Sequence, residues 1–292
     1  MNSNKLYTPL RYPGGKAAFA PLIASVINKN KLSHGHYLEP YAGGAGVALE
    51  LLFHDHVSHI HINDIDPAIF DFWFSVTRFT DSFLTLLQDS PVNIQEWYKW
   101  RSILRGETSA TQIERGFATL FMNRTNRSGI LKGGVIGGLK QEGIYKIDAR
   151  FKKDSLIKRI LKISKYSDSI SVYQLDALKL LDKAQSFLPE KSLIYLDPPY
   201  YVKGKGLYRN FYEHDDHVLI AEKLQSIEFN IPWIVSYDNA NEIKQMYGMA
   251  RKLEYGLNYS AQKKYYGNEV MFFKNGLLVD QNNFSFKFPL VA

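Results

Sequence analysis

The sequence predicts an α/β fold in which a mostly parallel sheet, closed by an antiparallel hairpin, carries an inserted and mainly helical segment. Two observations predict this fold. Apolar runs of strand length alternate with segments of helical periodicity at both ends of the chain of 292 residues. The alternation stops between about Phe74 and Tyr166 and then resumes. Because sheets of this class bind ligands at the carboxyl ends of their strands, we expect functional residues in the turns that follow the strands.

Two strand–helix units precede the interruption. A helix is predicted over residues 17–30, where apolar residues recur at helical spacing. A strand at 36–41 leads into a glycine-rich turn and a helix that continues through Leu52. A second strand at 59–63 is followed by a helix from Pro67. This succession is typical of the beginning of a parallel sheet.

The interruption separates these units from the rest of the sheet. Within it, the sequence predicts a helix at 114–122 and a glycine-containing loop at 123–143. After it, the pattern predicts strands at 170–175, 192–196 and 232–237, helices at 214–227 and 241–247, and a closing hairpin of 254–259 with 269–273. We therefore expect a core domain of residues 1–74 and 167–292, and an inserted domain of residues 75–166.

Basic residues are concentrated in the inserted segment. The whole chain carries a net charge of +7. Residues 97–166 contain 16 basic and 5 acidic residues, a balance of +11, and the remaining residues have a balance of −4. A slightly acidic body with one strongly basic segment favours a protein that contacts a phosphate backbone through that segment.

Cysteine is absent from the chain. Its absence excludes disulfides, thiolate metal sites and covalent catalysis by a cysteine nucleophile. The chain also lacks an apolar run of membrane-spanning length, and its N-terminus lacks the layout of a signal peptide. The sequence therefore predicts a soluble, cytoplasmic protein without membrane contact.

Two features near the first strands predict a ligand of the adenosine type. Glu39 and Pro40 lead into a turn that contains Gly43, where the backbone can approach a ligand closely. Asp64 ends the second strand, 21 residues after Gly43, as suits an acid that binds a ribose diol. Asp64 could instead cap the next helix, although Asp66 is also placed to do so.

A rigid turn follows the strand at 192–196. It reads Asp197-Pro198-Pro199-Tyr200. Proline has no backbone N–H, so the Asp197 carboxylate and the Pro198 carbonyl present only hydrogen-bond acceptors. Such a pair can hold both hydrogens of an amino group while Tyr200 stacks on the ring that carries it. The alternative is a simple proline turn after a buried strand.

These motifs resemble the S-adenosylmethionine-dependent DNA adenine-N6 methyltransferases of the Dam-like alpha group, in that family's order along most of the chain. The segments that carry the resemblance are 11–16 (Arg-Tyr-Pro-Gly-Gly-Lys), 39–41 (Glu-Pro-Tyr), 63–66 (Asn-Asp-Ile-Asp), Asp176, 197–200 (Asp-Pro-Pro-Tyr) and 236–239 (Ser-Tyr-Asp-Asn). The resemblance implies a Rossmann-like methyltransferase core with a seven-stranded sheet, an inserted target-recognition domain, and no catalytic metal.

The resemblance also implies roles for individual residues. Tyr12 and Lys16 would help to form the cofactor pocket, with Lys16 facing the methionine carboxylate. Glu39, Pro40 and Gly43 would approach the methionine part, Asp64 the ribose, and Asp176 the adenine amino group. Asp197, Pro198, Pro199 and Tyr200 would bind a flipped-out adenine for direct methyl transfer from S-adenosylmethionine to N6. Double-stranded DNA would contact Arg124, Asn126, Arg127 and Arg150, with Asn126 able to read adenine.

The chain departs from the family at Ala45, where a second glycine of the cofactor turn is usual, and in the segment after Asn123 and Arg124. Cytosine-C5 methylation is excluded because it needs a cysteine. Cytosine-N4 methylation, an RNA base substrate and a catalytically silent DNA-binding relative stay open, whereas protein-amide methylation would favour Asn at position 197. A restriction endonuclease or a defence system is a candidate partner; the recognition sequence and oligomeric state stay open.

Overall fold

Seven strands form one mixed sheet in the computed structural model, which describes residues 7–11, 16–202, 212–259 and 265–280. The strands are β1 (Gly35–Glu39), β2 (Val57–Asn63), β3 (Ile170–Tyr173), β4 (Ser192–Leu196), β5 (Trp233–Asp238), β6 (Arg251–Tyr259) and β7 (Tyr265–Phe273). Their order is β3-β2-β1-β4-β5-β7-β6. β1 pairs in parallel with β2 and β4, and β4 with β5, whereas β7 runs antiparallel to β5 and β6. The predicted sheet, mostly parallel with a closing antiparallel hairpin, is confirmed.

The chain order of the strands reverses between β1 and β4. β2 lies on one side of β1, and β4 lies on the other after a long excursion of the chain. All five residues of β4 are buried, as expected for a central strand covered on both faces. A crevice for a ligand forms at such a reversal, outside the carboxyl ends of the two strands.

The described ranges contain ten α-helices. They are α1 (Ala20–Lys29), α2 (Gly46–Phe53), α3 (Pro67–Arg78), α4 (Thr80–Asp89), α5 (Ile94–Leu104), α6 (Gln112–Thr125), α7 (Lys153–Ser164), α8 (Ala177–Phe187), α9 (His214–Gln225) and α10 (Asn241–Met246). None of them is long and apolar enough to cross a membrane.

Capping explains where two of these helices begin. The Asp66 carboxylate accepts a hydrogen bond from the Ala68 N–H at 3.0 Å, so Asp66, rather than Asp64, caps α3. Thr111 and Glu114 form a reciprocal capping box at the start of α6. That helix continues to Thr125, so the prediction that the loop begins at residue 123 is wrong by three residues. Residues 123–125 are buried, and tertiary packing therefore extends the helix.

The chain divides into two compact units. The helical unit contains the described residues of Met1–Gly15 and Asp66–Val172, including α3 to α7. The sheet unit contains the described residues of Lys16–Ile65 and Tyr173–Ala292. The predicted domain boundaries at residues 74 and 167, and the role of the inserted part in target recognition, stay predictions.

Candidate active site

The two turns predicted to be functional begin at the carboxyl ends of adjacent strands in the sheet unit. Glu39 is the last residue of β1, and Asp197 directly follows β4. The two strands are paired in parallel, so both turns lie at the same edge of the sheet, where the strand order reverses. This edge is where an α/β sheet binds its ligand.

The Asp197 carboxylate is fixed through one of its two oxygens. Ser236 Oγ donates to Asp197 Oδ1 at 2.8 Å, and the Tyr195 hydroxyl lies 2.9 Å from Ser236 Oγ. Because the single Ser236 hydroxyl proton is directed to Asp197, Tyr195 is the donor to Ser236. Among the described residues, the ion pair of Asp197 with Lys16 also involves Oδ1. Oδ2 therefore keeps its capacity to accept a hydrogen bond from a ligand.

Burial and neighbouring side chains together set the pKa of the Asp197 carboxyl. Burial raises the pKa of its carboxyl from 3.8 to about 6. The Lys16 ammonium, whose Nζ is 3.8 Å from Oδ1, lowers this pKa, and the Glu269 carboxylate raises it. At neutral pH the ionised form predominates, so Asp197 acts as a hydrogen-bond acceptor.

The Lys16 ammonium forms an ion pair with the carboxylate of Glu269. Its Nζ donates to the two carboxylate oxygens of Glu269 at 2.8 and 2.7 Å, and to the Tyr200 hydroxyl at 2.9 Å. The Glu269 carboxylate is therefore the anion that lies against Lys16 in this structure. The predicted contact of Lys16 with the methionine carboxylate stays a prediction.

Glu269 is a residue that sequence reasoning missed. It lies on β7, its side chain is fully buried, and the hydroxyls of Tyr200 and Tyr255 both donate to its carboxylate. The only sequence signal is a single acid directly before the apolar run 270–273. Its contacts hold Tyr200 by the hydroxyl, which fixes the orientation of the ring.

Asp238 holds the backbone that follows the Asp-Pro-Pro-Tyr turn. Its carboxylate accepts hydrogen bonds from the backbone N–H groups of Tyr201 at 2.8 Å and Val202 at 2.9 Å. Pro198 is buried and Pro199 is half-buried in the same turn. The turn is therefore fixed by proline geometry at its centre and by a carboxylate clamp at its end.

Glu39 resembles Asp197 in having one oxygen fixed. The Tyr37 hydroxyl and the Ala48 N–H both donate to Oε1 at 3.0 Å. Burial raises the pKa of the Glu39 carboxyl to about 8. A cationic ligand beside this carboxylate would stabilise its ionised form.

Hydrogen bonds to Asn63, the last residue of β2, and to Asp64 after it hold the turn that follows β1. The Gly43 N–H donates to Asp64 Oδ2 at 3.0 Å, and Asn63 Nδ2 donates to the Pro40 carbonyl at 2.8 Å. Gly43 has a φ of +46°, which glycine adopts without strain. Ala45 has the same φ at the N-cap of α2, so the departure from glycine occurs at a left-handed position.

Asp176 lies at the carboxyl end of the neighbouring strand β3. Its Oδ1 caps α8 by accepting from the Lys179 N–H at 3.2 Å. Burial raises the pKa of Tyr212 to about 12, and the charges of Asp176 and Asp64 also raise it. The two acids therefore lie within electrostatic range of the same half-buried tyrosine. Tyr12, also predicted to contact the cofactor, lies outside the described residues.

The model of one protein family matches residues 12–260, and that family is the D12 class of N6 adenine-specific DNA methyltransferases. The chain belongs to this class. The prediction of a DNA adenine methyltransferase that uses S-adenosylmethionine is thereby confirmed at the level of the family, whereas the Dam-like subgroup stays a prediction. No curated protein matches the methyltransferase by sequence.

Solved structures resemble the methyltransferase only distantly. A candidate RNA methyltransferase from Pyrococcus horikoshii has a TM-score of 0.40 and 8% identity, covering 93% of this chain and 89% of its own. A candidate class I S-adenosylmethionine-dependent methyltransferase from Listeria monocytogenes has a TM-score of 0.39 and 10% identity, covering 96% of this chain and 65% of its own. A conserved hypothetical protein from Streptococcus pyogenes has a TM-score of 0.30 and 13% identity, covering 84% and 88%. These likenesses carry no argument about the activity.

The carboxylates at the sheet edge fit S-adenosylmethionine, which carries two positive centres and a ribose diol. Glu39 offers a second carboxylate oxygen in a site where burial disfavours an uncompensated charge. Asp64 and Asp176 end the next two strands and lie near a common tyrosine. Carboxylates suit a cationic organic ligand because their charge is opposite to its own.

The residues predicted to contact DNA fall into two groups in the helical unit. Arg127 and Arg150 are exposed. Asn126 is fully buried: its Oδ1 accepts from Trp97 Nε1, and its Nδ2 donates to the Ile130 and Leu131 carbonyls. Arg124 is 9% exposed, and its guanidinium donates to the Pro9 carbonyl. The polar groups of Asn126 and Arg124 thus make their hydrogen bonds within the fold.

Proposed function

We propose that this chain is a site-specific methyltransferase that modifies N6 of adenine in double-stranded DNA, with the target base turned out of the helix. The observation that carries the proposal is the Asp197 carboxylate, 23% exposed, with Oδ1 held by Ser236 in a rigid turn at the sheet edge. An amine of a base inside a duplex is out of reach of such a turn, which is why the base must leave the stack.

The chemistry of the turn suits an exocyclic amine. Asp197 Oδ2 and the Pro198 carbonyl would each accept one N6 hydrogen, which directs the nitrogen lone pair away from the ring. Tyr200, held by Glu269 through its hydroxyl, would stack on the base. The protein contributes positioning and fixed acceptors, and these are worth most in a site that excludes water.

The cofactor would bind beside this turn. Glu39, Gly43, Asp64 and Asp176 would hold it, with Tyr12, Lys16 and Pro40 as further predicted contacts. S-adenosylmethionine would supply, when bound, a methyl group on a sulfonium sulfur, with the neutral thioether S-adenosylhomocysteine as the leaving group. After transfer the amine must lose a proton, and the Asp197 carboxylate, with a pKa of about 6, can accept it. This sequence of steps requires no metal.

The exposed Arg127 and Arg150 support DNA binding by the helical unit, since most protein–DNA hydrogen bonds go to the backbone. A cytoplasmic setting and a restriction endonuclease or defence partner stay predictions. That the protein does not contact a membrane also stays a prediction.

A labelled-methyl assay on unmethylated plasmid DNA tests the proposal. We expect wild-type protein to transfer label to DNA, and Asp197→Ala to reduce transfer by about 100-fold or more. S-adenosylmethionine binding should stay within a few fold of wild type, which separates loss of chemistry from loss of folding. Full activity of the variant would overturn the mechanism. Transfer to RNA alone would favour the RNA alternative.

A further inference from the structure

The helical unit buries a guanidinium that has no carboxylate partner among the described residues. Arg124 donates from Nε to the Pro9 carbonyl at 2.6 Å, and its Nη2 donates to the same oxygen. A buried charge is normally paired with an opposite charge. The buried Asp71 in the same unit follows this rule, because its Oδ2 lies 2.7 Å from Arg115 Nε. The environment of Arg124 is therefore unusual within its own unit.

Three further arginines lie near Arg124. Arg159 on α7 donates to the Thr8 carbonyl at 2.7 Å, next to the Pro9 carbonyl that Arg124 uses. Arg11 follows in the same segment, where Asn123 pairs with both its backbone N–H and its carbonyl. The charges of Arg159, Arg11 and Arg150, after burial, lower the pKa of Arg124 to about 9. Arg150 also lowers the pKa of Arg11.

The four arginines thus concentrate positive charge around one short segment of chain. None of them has a carboxylate within 4.0 Å in the part of the chain that the structure describes. In the sheet unit, by contrast, Lys223 is paired with Asp182 at 2.7 Å. Concentrated like charges of this kind are relieved by binding an anion.

We propose that Arg11, Arg150 and Arg159 bind one phosphate group of the DNA backbone, with Arg124 behind them adding positive charge. This assignment rests on the proposed function, because it takes the DNA substrate as given. Guanidinium groups match phosphate oxygens with paired N–H donors, and Arg150 is exposed while Arg11 and Arg159 are partly exposed. A phosphate contact positions the duplex without reading its sequence.

The salt dependence of DNA binding tests this site. The full chain is titrated against a fluorescein-labelled mixed-sequence duplex, between about 50 and 200 mM salt. Replacing one phosphate contact by Arg150→Gln should reduce the slope of log K against log salt by about 0.9. The loss of affinity relative to wild type should then be about threefold larger at 50 mM than at 200 mM salt. Arg150→Lys should restore most of the slope.

The matched control is Lys183→Gln, an exposed cation of the sheet unit on α8, which should leave the slope unchanged. Methyl transfer by each variant is measured at low salt in parallel. If wild-type protein does not methylate DNA, the proposed function fails. If wild-type protein methylates DNA and Arg150→Gln keeps the wild-type slope, the phosphate site is overturned while the function stands. Equal loss of slope in Lys183→Gln would also contradict it.

Discussion

Asn126 in the helical unit and Asp197 in the sheet unit are both polar residues that the sequence predicts to contact a ligand. They differ in how many of their hydrogen-bonding groups are already used by other residues of the protein. The Asn126 amide uses its oxygen and both hydrogens for Trp97, Ile130 and Leu131. The Asp197 carboxylate uses only Oδ1 among the described residues. The difference teaches that unused hydrogen-bonding capacity, more than residue type or place in a motif, marks a ligand-binding side chain.

The largest expected effects come from substituting these two residues one at a time. Asp197→Asn should lose methyl transfer by about 100-fold or more without loss of stability. Its carboxyl has a folded pKa near 6 against 3.8 in the reference state, so ionisation costs folding free energy as pH rises between these values and the cost is complete above them. An uncharged Asn removes this cost, and urea unfolding at pH 7.5 measures it.

Asn126→Ala should show the opposite behaviour. It leaves the buried Trp97 Nε1 and two carbonyls without partners and should lower the free energy of unfolding by about 2 kcal/mol. Asn93→Ala, which removes an exposed helix cap, is the matched control and should cost about 1 kcal/mol. If Asp197→Asn unfolds more readily than Asn126→Ala, the distinction between the two residues fails.

A smaller effect is expected at Glu269, which raises the pKa of Asp197. Wild-type activity should fall as pH falls through about 6, because Asp197 becomes protonated. Glu269→Gln removes a negative charge, so this acid limb should move to lower pH, and kcat should fall because Tyr200 loses a charged anchor. Tyr255→Phe removes one hydrogen bond to Glu269 without changing charge, and its acid limb should stay in place. An acid limb at wild-type pH in Glu269→Gln would show that Glu269 does not act through Asp197.

The smallest effect concerns the cofactor turn. Ala45 has a left-handed backbone with a φ of +46°, which costs a residue with a Cβ about 1 kcal/mol. Ala45→Gly should therefore raise the unfolding free energy by up to about 1 kcal/mol and leave cofactor affinity within a few fold. Ala45→Val, with a branched side chain at the same position, should lower stability. Thermal unfolding of both variants and of the wild type in one buffer measures this. An Ala45→Gly variant no more stable than the wild type would show that Ala45 is not strained.

The sequence could predict the parts of the molecule that depend on local pattern. Strand β4 was predicted with its observed bounds, and the closing hairpin and the alternative cap at Asp66 follow from residues close together in the chain. These elements need only hydrophobic periodicity and capping chemistry.

The parts that could not be predicted depend on distant pairs. Glu269 meets Lys16 across 253 positions, and Asn123 meets Arg11 across 112. No local pattern indicates that Asn126 is saturated by a tryptophan 29 positions earlier. Sequence reasoning therefore predicted the sheet edge and its acids, but not the residues that hold those acids or that saturate Asn126.

The product of the reaction tests the central claim most directly. Unmethylated duplex DNA is treated with the full chain and S-adenosylmethionine, digested to nucleosides and separated by chromatography with mass detection. The account predicts N6-methyladenine in the wild-type reaction and no product with Asp197→Asn. N4-methylcytosine in place of N6-methyladenine, or the same adenine product from Asp197→Asn, would contradict it.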